Sequence, residues 1–577
     1  MQTRRGSAAL FRIGVWVFFA VFGVALIAEA AFPKPLSGPV ARGMVAADHA
    51  EASRAGAKLL AEGGNAVDAA VATALALGVV DPVSSGLGGG GFLLYWDAKN
   101  HAAYALDFRE TAPAAARPDM FVTAGKVVPM RSRIGGLAVA VPGEPAGLAA
   151  IEARFGKLGL KAAARPAIAL ARDGFFVTPY LARAATRVLA QVAVPSHDPL
   201  RNLLTSRGGP LAAGQKLARP ELARTLSRLA ARGPDSFYKG ETARAIVGAV
   251  RARGGILTEA DLAGYRPIWR DALHGRFRGR DLYTVPPPAG GLTTVETLQI
   301  LDARPPLGPL GAGSSAADHE IAEALKNAFA DRARSLGDPA FVKVPTAHLA
   351  DPAYARQLAG RISDDKVEKI TDYGDKALAG PPDAAHDHGT SHLCVADGAG
   401  DVVALTTTIN LYFGALVQGG DSGVLLNDEM DDFAAQPGAP NQFGLIGGFA
   451  NSVQAGKRPL SSMSPLVVVK DGRAVMCAGA SGGPTIVSGT VQAVVNVIDF
   501  GMDAEAAVSS PRIHDQWIPD ALYVEDEIPR DVRDNLKKRG QKVMPADEQS
   551  AVQVIVLDPD HLEAASDPRK GGEPAAP

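Results

Sequence analysis

Chemistry in this chain is concentrated where glycine, hydroxyl and imidazole side chains cluster. The run His386-Asp387-His388-Gly389-Thr390-Ser391-His392 gathers three imidazoles, and a His-x-His pair on a strand can bind zinc. No Asp, Glu or Cys motif elsewhere completes such a site, so loop histidines with one on a strand is the simpler reading. Gly479-Ala480-Ser481-Gly482-Gly483 fits G-x-S-x-G between a strand and a helix, as a nucleophile elbow does. An elbow needs a parallel sheet, however, and the strand before this motif belongs to an Asp471-Gly472 hairpin, which leaves Ser481 a poor candidate. The same turn offers two backbone N–H groups, Gly482 and Gly483, at a helix start, where an oxyanion can be stabilised. Gly86-Leu87-Gly88-Gly89-Gly90-Gly91 fits G-x-G-x-x-G, but it follows a helix and opens a strand, the reverse of a dinucleotide loop. A crowded turn with no room for side chains is expected there.

The elements that must position these residues change character along the chain. Residues 46–80 are Ala-rich with apolar side chains at helical spacing and read as buried helix. Residues 92–96 and 103–108 read as a hairpin, 145–260 as helices broken by Gly and Pro, and 318–336 as another helix. A polar, Pro- and Gly-rich stretch at 371–388 reads as an exposed connection. Beyond it, strands are expected at 391–396, 402–408, 466–470 and 474–478, then a helix at 485–500 and strand, helix, strand over 523–543. Hairpins interleaved with helices predict an α+β fold with antiparallel sheets covered by helices.

Composition excludes several function classes. Fifty-nine Lys+Arg against 61 Asp+Glu give a formal charge of -2, so no basic face for nucleic acid is expected. With 47% hydrophobic and 21% charged residues the chain can bury a large core. The length of 577 residues by itself suggests three or four domains. The two cysteines, Cys394 and Cys477, fall on expected strands and read as buried thiols, with a single bridge as the alternative. Arg4, Arg5 and Arg12 precede an apolar run at 13–28, and Ala28-Glu29-Ala30 offers a small-x-small cleavage site. Residues 1–30 are therefore expected to be a signal peptide, with an uncleaved anchor as the alternative, and the protein to be exported to a periplasm or secreted.

The longer motifs resemble the gamma-glutamyltransferases (gamma-glutamyl transpeptidases). They are Gly389-Thr390-Ser391-His392-Leu393-Cys394-Val395, Thr406-Thr407-Thr408-Ile409-Asn410, Asn427-Asp428-Glu429-Met430-Asp431-Asp432-Phe433, Lys457-Arg458-Pro459-Leu460-Ser461-Ser462-Met463-Ser464-Pro465 and Gly482-Gly483. Upstream, Ser84-Ser85-Gly86-Leu87-Gly88-Gly89, Asp107-Phe108-Arg109-Glu110, Val285-Pro286-Pro287-Pro288 and Gly337-Asp338-Pro339 resemble the same family. The resemblance implies a four-layer αββα sandwich of the N-terminal nucleophile hydrolase type, made as a precursor that cuts itself between Gly389 and Thr390. A large subunit of residues 31–389 and a small catalytic subunit of residues 390–577 would build it jointly. Thr390 would then attack a gamma-glutamyl amide, such as that of glutathione, using its own freed amine as base. A threonine hydroxyl needs an adjacent base, and an α-amine titrates near the working range, about 7.7. Water or an amino acid or peptide amine would resolve the acyl-enzyme. No cofactor and no metal are implied.

By the same resemblance Thr408 holds the amine and hydroxyl of Thr390, and Gly482 and Gly483 supply the oxyanion donors. Arg109 with Ser461 and Ser462 forms a wall for the substrate carboxylate, while Glu429 and Asp432 with Asn410 form a wall for its ammonium. Without the other motifs, Arg109 reads as a surface ion pair with Glu110 or Asp107. A lid is expected at 437–449, with Phe443 where the family often has tyrosine; losing that hydroxyl implies a looser gate. A related acylase cleaving glutaryl-type amides is the alternative, although its substrate would lack the ammonium that Glu429 and Asp432 suit. Because Arg109 must share a pocket with Thr390 and Asp432, the several domains suggested by length reduce to one interwoven unit.

Overall fold

The computed structural model describes residues 35–39, 42–206, 208–370, 389–547 and 549–577. The expected signal at 1–30 with its apolar run at 13–28, and the connection at 371–388 with His386 and His388, lie outside the described residues.

The buried helix expected at 46–80 is a strand and two helices. Met44–Ala47 is an edge strand, and the helices Ala50–Ala61 and Ala66–Val80 are separated by Gly63-Gly64. Asn65 starts the second helix with a capping box, its side chain accepting from the N–H of Asp68 while the Asp68 carboxylate accepts from the N–H of Asn65. Every residue of Ala66–Val80 is buried, which small and aliphatic side chains allow on all faces.

Two sheets are stacked behind this helix. The six-stranded sheet runs, in spatial order, Ile268–Asp271, Ala102–Asp107, Gly90–Asp97, Val402–Thr408, Ser391–Ala396 and Met44–Ala47. The seven-stranded sheet runs Leu36–Pro39, His561–Ser566, Ala551–Leu557, Arg473–Ser481, Leu466–Lys470, Arg280–Thr284 and Leu273–Phe277. Neighbours in both sheets are antiparallel, as the hairpin signals require. Each sheet interleaves strands from both sides of residue 390.

The period of two in a strand decides what each face meets. Leu93, Tyr95, Leu393, Val395, Val403 and Leu405 pack into the helices with Ala66–Val80. Their alternates, Phe92, Leu94, Trp96, Cys394, Ala396, Val402 and Ala404, pack toward the seven-stranded sheet. The helices Gly291–Asp302 and Thr485–Ile498 cover that sheet's far face, so the four layers are α, β, β, α. Among the described residues, no helix is long and apolar enough to cross a membrane.

Cys394 and Cys477 are not free thiols but a disulfide. They stand on facing strands of different sheets, where neighbours as small as Ala396, Ala404, Ala478 and Ala480 let the two Cα atoms approach to 5.9 Å, within bridging range. Which sheets face each other is a tertiary fact, so the pairing has no local sequence signal.

The bridge spans a sequence separation of 83 residues. Replacing Cys477 by alanine should therefore lower the unfolding free energy by about 2–4 kcal/mol. A non-reduced variant melting at the wild-type temperature would show that the two sulfurs are unbridged in solution.

Candidate active site

Thr390 stands immediately before the strand Ser391–Ala396. Ser391 pairs with Thr407 on Val402–Thr408, so one further step of the register sets Thr390 beside Thr408. Their hydroxyl oxygens are 2.9 Å apart, and Thr408 Oγ1 also accepts the N–H of Asn410 at 2.8 Å. The other heteroatoms of Thr390 are held as well: its N–H donates to Ser84 O at 3.1 Å, and its carbonyl accepts from Lys570 Nζ at 2.5 Å. The backbone here is strained. Thr390 has φ 73° and Asn410 has φ 76°, a left-handed region that costs a non-glycine residue about 1–3 kcal/mol. Gly389, at φ 119°, precedes Thr390, so the strain at Thr390 lies next to the expected scissile bond.

A small cavity of about 20 Å³ opens beside Thr390. Thr408, Asn410, Arg109, Glu429, Asp432, Ser461, Ser462 and Gly483 all line it, and Phe443 and Leu445 from the expected lid close one side. Of the expected site residues, Gly389 lies over Asn410 O and Gly482 sits one residue behind the wall, against Gln549 O. Gly482 and Gly483 form the turn between Arg473–Ser481 and the helix Thr485–Ile498, with Thr485 Oγ1 donating to Gly482 O at 2.7 Å. Both adopt positive φ, 126° and 62°, and a Cβ on Gly483 would press into the Phe443 ring.

Arg109 is not a surface residue. It follows the strand Ala102–Asp107 and is 0% exposed, with Nη1 2.7 Å from Glu429 and 3.6 Å from Glu110, Nη2 on Asp432, and Nε donating to Pro459 O at 3.3 Å. The expected cationic and anionic walls are thus in direct contact. Burial dominates the carboxylates and Arg109 only partly offsets it: Glu110 is pushed up to about 8, Glu429 well above the usual range and Asp432 upward. Burial thus opposes full ionisation of the three carboxylates. Ser461 and Ser462 are held rather than loose: Ser461 Oγ accepts from the Met463 N–H at 3.1 Å, and Ser462 Oγ accepts from Arg332 Nη2 at 3.3 Å.

The sequence profile of the gamma-glutamyltranspeptidase family matches residues 52–576. The chain belongs to the gamma-glutamyltranspeptidase family. It is 42% identical over 531 residues to the glutathione hydrolase proenzyme of Escherichia coli K12, covering 92% of this chain and 90% of that one. It is 39% identical over 555 residues to the acylase ACY 1 proenzyme of Pseudomonas sp. strain V22, covering 94% of each. Among solved structures, cephalosporin acylase from Bacillus halodurans superposes with a TM-score of 0.80 at 28% identity, covering 94% of this chain and 97% of that one. The αββα sandwich of this gamma-glutamyltranspeptidase is that of the N-terminal nucleophile hydrolases.

The competing motifs resolve on geometry. Ser481 lies inside an antiparallel sheet, its hydroxyl donating to Ala551 O at 3.5 Å, while His514 is engaged with Ser488 and Gln516. No elbow exists there. His392 Nδ1 meets Thr406 Oγ1 at 2.8 Å, burial lowers its pKa to about 3, and the two nearest sulfurs are spent in the disulfide. The 86–91 glycines make the crowded turn: a Cβ on Gly88 or Gly89 would strike the carbonyls of Leu425 or Thr408, so only glycine lets this turn pack against Thr408. Sequence reasoning missed Glu110 as a pocket partner, and Arg332 and Lys570 altogether. Arg332 reads as one charge on an ordinary helix, and Lys570 as one charge in a mixed-charge C-terminal stretch, so neither carries a local signal.

Because the folded-state pKa of Glu110 is raised from 4.5 to about 8, its contribution to stability is complete below 4.5 and is lost as pH rises through 8. Glu110→Gln, which mimics the protonated acid, should flatten the decline in Tm between pH 5 and pH 8. An unchanged slope would show that Glu110 is ionised throughout.

Proposed function

We propose that the chain is an exported, self-processing gamma-glutamyltransferase/hydrolase, cut between Gly389 and Thr390 into subunits of residues 31–389 and 390–577. The observation that carries this reading is the hydroxyl of Thr390, fixed 2.9 Å from that of Thr408 on the wall of a cavity that also holds Arg109, Glu429 and Asp432. A disulfide within the fold fits an oxidising compartment, in keeping with export.

Processing follows from the same geometry. Attack of Thr390 Oγ1 on the Gly389 carbonyl carbon turns the amide into an ester, with the proton passing to the departing nitrogen. Water then hydrolyses the ester and frees the α-amine of Thr390. The strained backbone at Gly389-Thr390 raises the ground state of that bond. Once free, the amine takes the hydroxyl proton as Thr390 attacks the gamma-carbonyl of the donor, and returns it to the leaving amine. The N–H groups of Gly482 and Gly483 face the developing oxyanion; by analogy, losing one such donor costs about 3–4 kcal/mol.

The substrate's zwitterionic end matches the buried charges. Its α-carboxylate joins Arg109, with hydroxyl donors from Ser461 and Ser462, and its α-ammonium sits beside Glu429 and Asp432, supported by Asn410. Glutathione and other gamma-glutamyl compounds are the donors, and water or amino acid and peptide amines the acceptors. The resemblance to acylases keeps a second reading in view, cleavage of glutaryl-type amides. That donor leaves the ammonium wall unsatisfied, so a glutaryl anilide should turn over far more slowly than a gamma-glutamyl anilide.

Thr390→Ala should remain one uncut chain on a denaturing gel and show no turnover, while wild type yields two fragments. A Thr390→Ala protein that still cleaves itself would end the self-processing reading. Phe443 carries no hydroxyl to close the lid onto Asn410, so Phe443→Tyr should shift the balance between hydrolysis and transfer. Equal product ratios in the two proteins would show that the lid hydroxyl has no part in acceptor choice.

A further inference from the structure

Lys570 is the only described cation that bonds the nucleophilic residue itself. Its side chain is 2% exposed, and Nζ donates to Thr390 O at 2.5 Å, lies 3.3 Å from Asp48 Oδ2 and 3.5 Å from Ser84 Oγ, and stands 5.2 Å from the Tyr180 ring centroid. The chain on both sides of Lys570 is fixed. Before it, Asp567 accepts from the Val552 N–H and pairs with Arg512, and Arg569 pairs with Glu525 and Asp567. After it, Ala575 exchanges two backbone hydrogen bonds with Val45 on the edge strand Met44–Ala47. A lysine buried this deeply is costly unless its charge is paired, and Asp48 is that partner.

We propose that Lys570 is a positioning residue for the nucleophile: it grips the carbonyl of Thr390 and, by its charge, biases the freed α-amine toward the uncharged form that can accept a proton. The inference rests on Thr390 being the nucleophile, as argued above. Three groups then hold three different atoms of one residue: Thr408 the hydroxyl, Ser84 the nitrogen and Lys570 the carbonyl. Ser84 O, as an acceptor, favours the charged ammonium, whereas a cation on the adjacent carbonyl disfavours it. Other charges face the site from every side. Asp48, after the edge strand, is tied to Gln553 and the His392 N–H; Asp81, after Ala66–Val80, accepts from Ser391 Oγ at 3.2 Å. His392 is buried and kept neutral, Tyr180 lies under the ammonium, and Arg109 with Glu429 and Asp432 faces the cavity. Of these, Lys570 is the one whose charge contacts Thr390 directly, and Asp48 is its counter-charge.

The sign of the effect is testable. An amine that must be neutral to work gives an acid limb in kcat/KM at its pKa. Removing the cation raises that pKa, so in Lys570→Met, which keeps the apolar stem, the limb should move up by about one pH unit. At neutral pH its kcat should fall about tenfold with KM for a gamma-glutamyl anilide changed less than twofold, and Lys570→Arg should restore the profile. Asp48→Asn, which removes the counter-charge, should move the limb the other way, and provides an independent reading if Lys570→Met is processed too slowly. All rates are normalised to the processed fraction on a gel, with Thr390→Ala run in parallel. Acid limbs that coincide with wild type in both the Lys570→Met and Asp48→Asn proteins, while Thr390→Ala stays inactive, would overturn the role of Lys570 and leave the nucleophile standing. Turnover by Thr390→Ala would overturn both.

Discussion

A guanidinium taken out of water must be compensated where it lies, and the arrangement of this molecule turns on how Arg109 meets that demand. Its carboxylate partners Glu429 and Asp432 are some 320 residues away in sequence; the separation to Asp432 is 323. An uncompensated charge at 0% exposure would cost several kcal/mol, so the two regions can be buried only together. The strand ending at Asp107 and the turn Glu429–Asp432 are thereby locked to each other, and the cavity they enclose opens onto Thr390. The excess of carboxylates over guanidinium, with burial opposing their ionisation, leaves room for one more positive charge.

Thr390 is governed by a second constraint, the ends of stacked sheets. Thr390 precedes a central strand of one sheet and Gly482 follows a strand of the other, so the facing of the two sheets sets the relation between the Thr390 hydroxyl and the Gly482-Gly483 turn. The Cys394–Cys477 disulfide joins those same two strands. Small residues between the layers bring the backbones close, and the glycines at 88, 89 and 483 do the same at the strand ends, where no Cβ fits. Strain at Thr390 and Asn410 persists because each is held by several hydrogen bonds from elements that cannot move independently.

Much of the secondary structure was legible because hydrophobic period and turn chemistry are local signals. The Asp471-Gly472 hairpin, the pair 391–396 and 402–408, and the helix opening at Thr485 stand where the sequence places them. The stretch 46–80 was read as one helix because alanine and valine suit a buried strand and a buried helix alike; Gly63-Gly64 and the Asn65 capping box divide it. The disulfide stands only as the alternative in the sequence reading, for a different reason. Each cysteine has an ordinary strand around it, and only the stacking of sheets makes them partners.

By itself the sequence determined the chemistry available: a threonine in a family motif, two acidic residues and an arginine of the right types, and a Gly-Gly turn at a helix start. Those are properties of residue identity and near-neighbour spacing. The tertiary structure decided what the charges do. It set Arg109 against Glu429, Asp432 and Glu110, brought Arg332 to Ser462, and carried Lys570 from the far end of the chain to the carbonyl of Thr390. Electrostatic energy depends on distance and on exclusion of water, and neither is written in a linear order of residues until the sheets close over them.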